Sequence, residues 1–86
     1  MTADERFKEL GYDKISDNYW SITYSKPIGY TPKGYFEEVD SIDIDFYKHN
    51  RTFRKRERSK STSYKLGCTK EELAAIKLKK KELGWE

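Results

Sequence analysis

Asp43 and Asp45 are spaced as the carboxylates of a catalytic or metal-binding pair would be. At positions i and i+2 they lie on one face of a strand, where two carboxylates can bind a divalent cation or act as acid and base. The basic segment that follows places Arg54 and Arg56 opposite them if the two segments form a hairpin. Because neutralised carboxylates are poor metal ligands, we expect structural ion pairs rather than a metal site.

The single histidine, His49, and the single cysteine, Cys68, are the other candidates for metal or nucleophilic chemistry. Zinc sites need several His or Cys residues at fixed spacing, and neither a CxxC nor an HxxxH pattern occurs. His49 lies in a predicted turn, and we interpret it as structural. Cys68 precedes a predicted helix, whose positive end can lower a thiol pKa, but no histidine is near in sequence to act as its base. We expect a partly buried structural cysteine.

The glycines of the chain form no phosphate-binding motif. Gly29 and Gly34 flank a segment that matches neither the P-loop nor the dinucleotide-binding pattern. A Gly-x-Ser-x-Gly nucleophile motif is also absent. We therefore predict that the protein is not an enzyme and uses no metal or other cofactor.

Segment 48–65 carries eight Lys or Arg residues and one acid, and it follows an acidic segment, 35–47, with five acids and no base. The strongest functional candidate is its basic run from Arg51 to Lys65. Lysine and arginine neutralise phosphates, and the interleaved Phe53 and Tyr64 are suited to stacking on bases. The alternative is a solvated basic loop without a ligand. The predicted nucleic-acid or partner-binding residues are Lys48, Arg51, Lys55, Arg58, Lys60 and Lys65, with Lys77 and Lys80 of the last helix.

Alternating sequence patterns predict the strands that carry these side chains. In residues 19–26, apolar side chains alternate with hydroxylated ones. In residues 41–47, apolar side chains alternate with acidic ones. Both patterns predict half-buried antiparallel strands. A two-residue turn at 49–50 would return the chain as the next strand. This register pairs Phe46 with Phe53, Asp45 with Arg54, and Asp43 with Arg56. Residues 27–34 contain both prolines and two glycines, and we expect an irregular loop there.

Two capping boxes predict the helices. Thr2 with Glu5, and Thr69 with Glu72, have the spacing at which each side chain bonds the other residue's backbone N–H. Gly11 and Gly84 then end the two helices. We predict an α+β fold, with a short N-terminal helix, a three- to four-stranded antiparallel sheet, and a C-terminal helix packed on one sheet face.

The predicted core joins the apolar face of the sheet to the two helices. Its sheet members are Trp20, Ile22, Tyr24, Ile42, Ile44, Phe46 and Phe53, and its helix members are Phe7, Leu10, Leu73, Ile76 and Leu83.

The length of 86 residues and a charged fraction of 38% indicate one small domain, 1–86, with an aromatic core. Residues 57–63 contain no apolar side chain, and we predict a mobile basic loop. No 18-residue apolar run is present, so we expect no membrane partner. The N-terminal residues lack the pattern of a signal peptide, and one cysteine is typical of a reducing compartment, so we expect a cytoplasmic location.

The chain resembles small uncharacterised proteins encoded by phages and prophages of Gram-positive bacteria. The matching stretches are 7–12, 42–52, 71–76 and 82–85, which are helix caps, helix ends and the hairpin. This resemblance implies an accessory role in the host cytoplasm, in which host-takeover or anti-defence inhibitors are common.

Two functional hypotheses follow. The first is a non-enzymatic protein that binds nucleic acid or a nucleoprotein through the basic hairpin-loop surface. The alternative is a protein-interaction module without nucleic-acid binding, which would use the tyrosines of the 27–34 loop or an edge of the sheet to contact a host protein.

Overall fold

A computed structural model describes the backbone of residues 1–33, 36–59, 62–65 and 67–85, and the side chains of 1–27, 41–57 and 67–85. Two helices flank a run of strands along the chain. In chain order the elements are α1 (Ala3–Glu9), β1 (Asp13–Asp17), β2 (Ser21–Lys33), β3 (Phe36–Tyr47), β4 (Thr52–Ser59), β5 (Thr62–Lys65) and α2 (Lys70–Glu82).

Both helices begin at the predicted capping boxes. Thr2 Oγ1 accepts from the backbone N–H of Glu5, and Thr69 Oγ1 accepts from that of Glu72, with the reciprocal glutamate bonds also present. Gly11 and Gly84 follow the helices with φ of 94° and 76°, a conformation in which a Cβ would be strained. The sequence therefore predicted both ends of both helices.

The strands form one antiparallel sheet in the order β1-β2-β3-β4-β5, each paired with its neighbour in sequence. Together with the helices, this sheet confirms the predicted α+β class. The fifth strand begins within the predicted mobile loop 57–63 and continues beyond it to Lys65. Residues 57–59 belong to β4 and 62–63 to β5, because a strand paired on an edge needs backbone hydrogen bonds and not an apolar face.

Residues 27–33 of the predicted loop 27–34 also belong to a strand, since β2 continues to Lys33 with a register shift between Pro27 and Gly29, and residue 34 lies outside the described residues. β1 pairs only with residues 22–25 of β2. Beyond that point β2 has β3 as its one paired neighbour, and on such an edge a proline that lacks an N–H is tolerated.

The β3–β4 hairpin has the predicted register. Phe46 lies opposite Phe53, Asp45 opposite Arg54 and Asp43 opposite Arg56. The turn is longer than predicted: the last strand pair is Tyr47 with Thr52, which leaves four residues, 48–51, in the turn. A longer turn of this kind preserves the register because it takes one residue from each of the two strands.

Both helices pack on the same face of the sheet, and the opposite face is called here the open face. The core on the helix side is aromatic, with Phe7 stacked on Tyr24 at 4.1 Å between ring centroids. The fully buried apolar residues are Ala3, Phe7, Tyr12, Ile22, Tyr24, Ile44, Phe46, Ala75 and Ile76. Leu10, Ile42, Phe53 and Leu83 are partly buried against them.

Two predicted core residues are wrong. Trp20 is 67% exposed because β2 begins one residue later, at Ser21, and Trp20 belongs to the preceding turn. Leu73 is 49% exposed because its neighbour, Glu72, takes the inward position on α2.

Candidate functional site

Lys55, predicted to bind nucleic acid, is instead buried beneath α2 with 7% of its surface exposed. Its Nζ lies 2.6 Å from Oε1 of Glu72 and 3.1 Å from the carbonyl oxygen of Gly67. Lys55 alternates with its exposed neighbour Arg54, so its side chain points to the helix face of the sheet. The prediction of a ligand-binding Lys55 is therefore corrected to a structural ion pair.

Tyr12 completes this group, and Tyr12, Lys55 and Glu72 are called here the polar triad. The Tyr12 hydroxyl donates to Oε2 of Glu72. Burial alone would raise the pKa of Glu72, but hydrogen bonds from Lys55, the Thr69 N–H and Tyr12 outweigh it and lower that pKa to about 2. Burial, reinforced by the Glu72 contact, raises the pKa of Tyr12. The triad joins β4, α2 and the segment after α1.

The two aspartates of the hairpin lie on the open face and are bound by protein groups. Asp43 and Asp45 are 1% and 3% exposed. Arg56 serves both, with its Nε 3.0 Å from Asp45 and a terminal nitrogen 3.9 Å from Asp43. Hydroxyl groups of Thr23 and Ser25 on β2 also donate to them, each at 2.7 Å. The expected ion pairing is present, although its partners differ in part from those predicted.

Arg54 is the partner that differs. The predicted pair with Asp45 is replaced by a hydrogen bond of 2.7 Å to the hydroxyl of Tyr47, over whose ring the guanidinium lies at 5.5 Å. A diagonal partner, Arg56, reaches Asp45 in its place, as long side chains can in a twisted antiparallel pair. Arg54 thus remains exposed on the open face.

The remaining predicted binding residues do not form one surface. Lys80 lies on the helix side, with its Nζ 4.9 Å from the centre of the Phe53 ring. Lys77 is exposed on α2, at a shallow groove whose described walls also include Ala74, Leu78 and Lys81. The sheet therefore separates these lysines from the arginine on its open face. The predicted side chains of Arg58, Lys60 and Lys65 lie outside the described residues.

Lys48 lies at one end of the sheet beside two exposed aromatic residues, and Arg51 belongs to the same turn, 48–51. The side chains of Tyr19 and Trp20, 82% and 67% exposed, meet edge to face with ring centroids 4.9 Å apart. With Lys48 and His49 they line a cleft of about 350 Å³. Tyr19, Trp20, Lys48, His49 and Arg51 are called here the tip cluster. This cluster combines unburied rings with cationic side chains.

The aromatic pair is held by a hydrogen-bonded turn between β1 and β2. Asn18 Oδ1 accepts from the backbone N–H groups of Trp20 and Ser21, at 2.8 and 3.0 Å. The Asn18 N–H donates to the carbonyl of Ser21, at 3.0 Å. These bonds satisfy the turn's polar groups without help from the rings, so the rings are free to face solvent.

Lys48 ties this turn to the β3–β4 turn. Its backbone N–H donates to the carbonyl of Trp20 at 2.9 Å, and its Nζ donates to the carbonyl of Asn18 at 2.6 Å. Its Nζ also lies 3.2 Å from Oδ1 of Asp17, and that hydrogen bond lowers the pKa of Asp17. The positive charge of Lys48 is therefore partly offset.

Arg51 ends the tip cluster in an unusual backbone conformation. Its φ of 56° is the one positive value at a non-glycine position among the described residues, and its side chain is exposed. A left-handed residue of this type costs roughly 1–2 kcal/mol relative to right-handed backbone. The hydroxyl of Thr52 bonds Oδ1 of Asn50 at 2.7 Å and supports the turn.

Sequence reasoning identified Lys48 and Arg51 but missed the aromatic half of the cluster. Tyr19 and Trp20 follow the turn signal Asp17-Asn18 immediately. That adjacency is the signal for exposure, because an Asn that caps its own turn delays the start of the next strand. The alternating pattern that begins at Trp20 concealed it.

The residues considered for metal binding and nucleophilic chemistry are not arranged for either role among the described residues. In the part of the chain that the structure describes, no three His, Cys, Asp or Glu side chains are grouped to hold a metal ion. Cys68 is partly buried, and burial raises the pKa of its thiol, which is the opposite of nucleophile activation.

Comparison with known proteins adds no further constraint. No protein-family model, curated protein or solved structure matches the chain. Within the described residues, neither helix has the length and apolar character needed to cross a membrane.

Proposed function

We propose that the protein is a non-enzymatic nucleic-acid-binding protein and that the tip cluster is its contact surface. The observation that carries this proposal is the exposed Tyr19–Trp20 pair beside Lys48, whose turn, 48–51, also carries the exposed Arg51. Large aromatic rings are usually buried, and rings left in water next to cations mark surfaces that bind a partner. Nucleic acid offers both complements, a phosphate for each cation and a planar base for each ring.

The described charges predict weak and salt-dependent binding. Arg51 is exposed at the tip, and Arg54 lies behind it on the open face, whereas Lys48 is partly neutralised by Asp17. About two phosphate contacts would give a slope of log K against log salt between about −1 and −2. We therefore expect binding that is measurable at low salt and weakens gradually as salt rises.

The test is fluorescence anisotropy of labelled 20-nucleotide oligomers at a series of salt concentrations. Arg51→Ala should weaken binding and reduce the magnitude of the slope by about one phosphate contact, or roughly 0.7–0.9. The matched control is Lys81→Ala, which removes the same charge from the exposed side of α2. Absence of binding at low salt, or equal effects of the two substitutions, would remove the proposal.

The alternative of a protein partner has less support from the described residues. The side chain of Tyr30, the one tyrosine of segment 27–34, lies outside them. The edge strand β1 shifts register at Ile15 and carries the charged residues Asp13, Lys14 and Asp17. Bulges and charges of this kind oppose the addition of another strand at a sheet edge.

We retain, as part of this proposal, the accessory role in a host cell that the resemblance to phage-encoded proteins implies. Its support is that resemblance alone. Expression in a bacterial host, with growth and nucleic-acid synthesis measured for the native chain and Arg51→Ala, tests it. An effect that requires Arg51 would support the role, and a native chain without any effect on the host would count against a host-takeover inhibitor.

A further inference from the structure

The tip cluster also indicates which form of nucleic acid fits it. We propose that the ligand is single-stranded and that Tyr19 and Trp20 stack on unpaired bases. This inference rests on the proposed function, and it adds the substrate class and the residues that select it.

The arrangement of the two rings favours separate, splayed bases. The Tyr19 and Trp20 planes are nearly perpendicular, at 88°, and both side chains are mostly exposed. Stacking requires a ring face and a base face that are both uncovered and can lie against each other. Base faces inside a duplex are already covered by neighbouring pairs, whereas those of a single strand can turn toward such rings.

The cleft beside the rings has the dimensions of a small-molecule site. Its volume of about 350 Å³ lies at the lower end of the range of roughly 300–1,000 Å³ for such pockets. Its described walls are the two rings, Lys48 and His49. A pocket lined by two aromatic rings and a lysine offers stacking surface for a base and a positive charge for its phosphate, and it is too small to admit a duplex.

The cleft is also held in place before any ligand arrives. Asn18 fixes the turn beneath the rings with two backbone hydrogen bonds, and the Lys48 N–H joins the two turns through the Trp20 carbonyl. Binding to a preformed surface avoids the entropic cost of ordering loops. Stacking can therefore contribute to affinity with little loss of conformational entropy, even where cations are few.

The number of free cations distinguishes the two substrate classes. Among the described residues near the tip, Arg51 is exposed and Lys48 is shared with Asp17. Duplex binding without base contacts depends almost entirely on neutralising phosphates, so few cations give it low affinity. Binding to a single strand adds a stacking contribution that a duplex does not receive.

The experiment compares a labelled 20-nucleotide single strand with the duplex of the same sequence at low salt. We expect the single strand to bind at least tenfold more tightly. Trp20→Ala should reduce single-strand affinity about 5- to 150-fold, which corresponds to about 1–3 kcal/mol of stacking, and leave duplex affinity unchanged. Trp20→Phe should retain most of the affinity, because phenylalanine also stacks.

A matched control and a direct signal accompany these variants. Ile15→Ala removes another exposed apolar side chain, 57% exposed, from β1 and should change nothing. In a Trp85→Phe background, Trp20 is the one tryptophan, and its fluorescence should be quenched by the single strand. Thermal unfolding of Trp20→Ala should coincide with that of the native chain, which excludes loss of the fold as the cause.

The outcomes separate the two proposals. Equal affinity for the single strand and the duplex, with the Arg51→Ala effect intact, overturns the single-strand inference and leaves nucleic-acid binding standing. Single-strand binding that is indifferent to Trp20→Ala overturns it as well. Absence of binding to either form overturns both proposals, and binding of a purified protein partner through Trp20 in its place would have the same consequence.

Discussion

The polar triad and the tip cluster both combine cations with aromatic rings, but under opposite conditions of exposure. In the triad, Lys55 is 7% exposed and its charge is matched by a buried carboxylate. In the tip cluster, Trp20 is 67% exposed and has no covering layer among the described residues. The first arrangement uses a charge to join elements of the fold, and the second leaves aromatic surface in contact with solvent. Exposure, rather than residue type, therefore distinguishes the structural triad from the proposed binding surface.

The largest expected effect is the loss of the Lys55 charge. Lys55→Met leaves Glu72 as an uncompensated buried carboxylate and should lower the free energy of unfolding by about 3–5 kcal/mol. Urea denaturation measures this change. The double variant Lys55→Met, Glu72→Met should recover much of the loss, because a buried ion pair can be replaced by apolar side chains at small cost. Equal stability of the single and double variants would contradict the structural role of the pair.

Acid should act on the same triad. The folded-state pKa of Glu72, about 2, lies below its ordinary value of 4.5, so the folded chain binds this proton less readily than the unfolded chain. Its contribution to stability is present above pH 4.5 and is lost as pH falls toward 2. Urea denaturation from pH 7 to pH 2 should show this loss. Glu72→Gln should give a shallower pH dependence, and an unchanged slope would count against the assignment.

A smaller effect is expected from the turn that carries the aromatic pair. Asn18→Ala removes the acceptor of two backbone hydrogen bonds and should cost about 1 kcal/mol of stability while weakening single-strand binding. Asn18→Asp retains a side-chain oxygen that can accept both hydrogen bonds, and it is the matched control. Urea denaturation and anisotropy measure the two effects. Loss of stability without loss of binding would show that the ligand does not require a fixed turn.

The smallest effect on stability is expected at Arg51. Arg51→Gly relieves the left-handed backbone, but glycine also makes the unfolded chain more flexible, so the net change should lie within about 1 kcal/mol. Its affinity for nucleic acid should fall as far as that of Arg51→Ala. Urea denaturation and anisotropy again provide the measurements. A glycine variant that binds normally would mean that the Arg51 side chain does not contact the ligand, whatever its effect on stability.

The sequence predicted the parts of the fold that depend on local chemistry. Capping boxes defined both helix starts, and cross-strand pairing of Phe46 with Phe53 defined the hairpin register. It failed where tertiary contacts override composition. Lys55 is in a basic segment, which predicts a solvent-exposed side chain. In the fold, α2 covers Lys55 and supplies the Glu72 carboxylate that pairs with its charge. Segment 57–63 likewise has no apolar pattern, and pairing with a neighbour makes most of it strand.

The sequence predicted the cations of the candidate site but not its aromatic rings. The cations of the two turn positions, Lys48 and Arg51, follow from the hairpin alone. The exposed rings do not, because Trp20 fits the apolar phase of β2 and is displaced from it by a single residue at the start of the strand. Proximity between the two turns is a property of the sheet, in which β2 and β3 place residue 21 opposite residue 47.

The strand order has a kinetic consequence. Every strand pairs with its neighbour in the chain, so the sheet can grow by successive hairpins whose closure involves short loops. The helix pair is different, since the backbone N–H of Ala3 bonds a carboxylate of Glu82, 79 residues away, at 2.6 Å. We expect the hairpins to form early and the two helices to dock last. Substitutions of residues in the contact surface between the two helices should then accelerate unfolding more than they slow refolding.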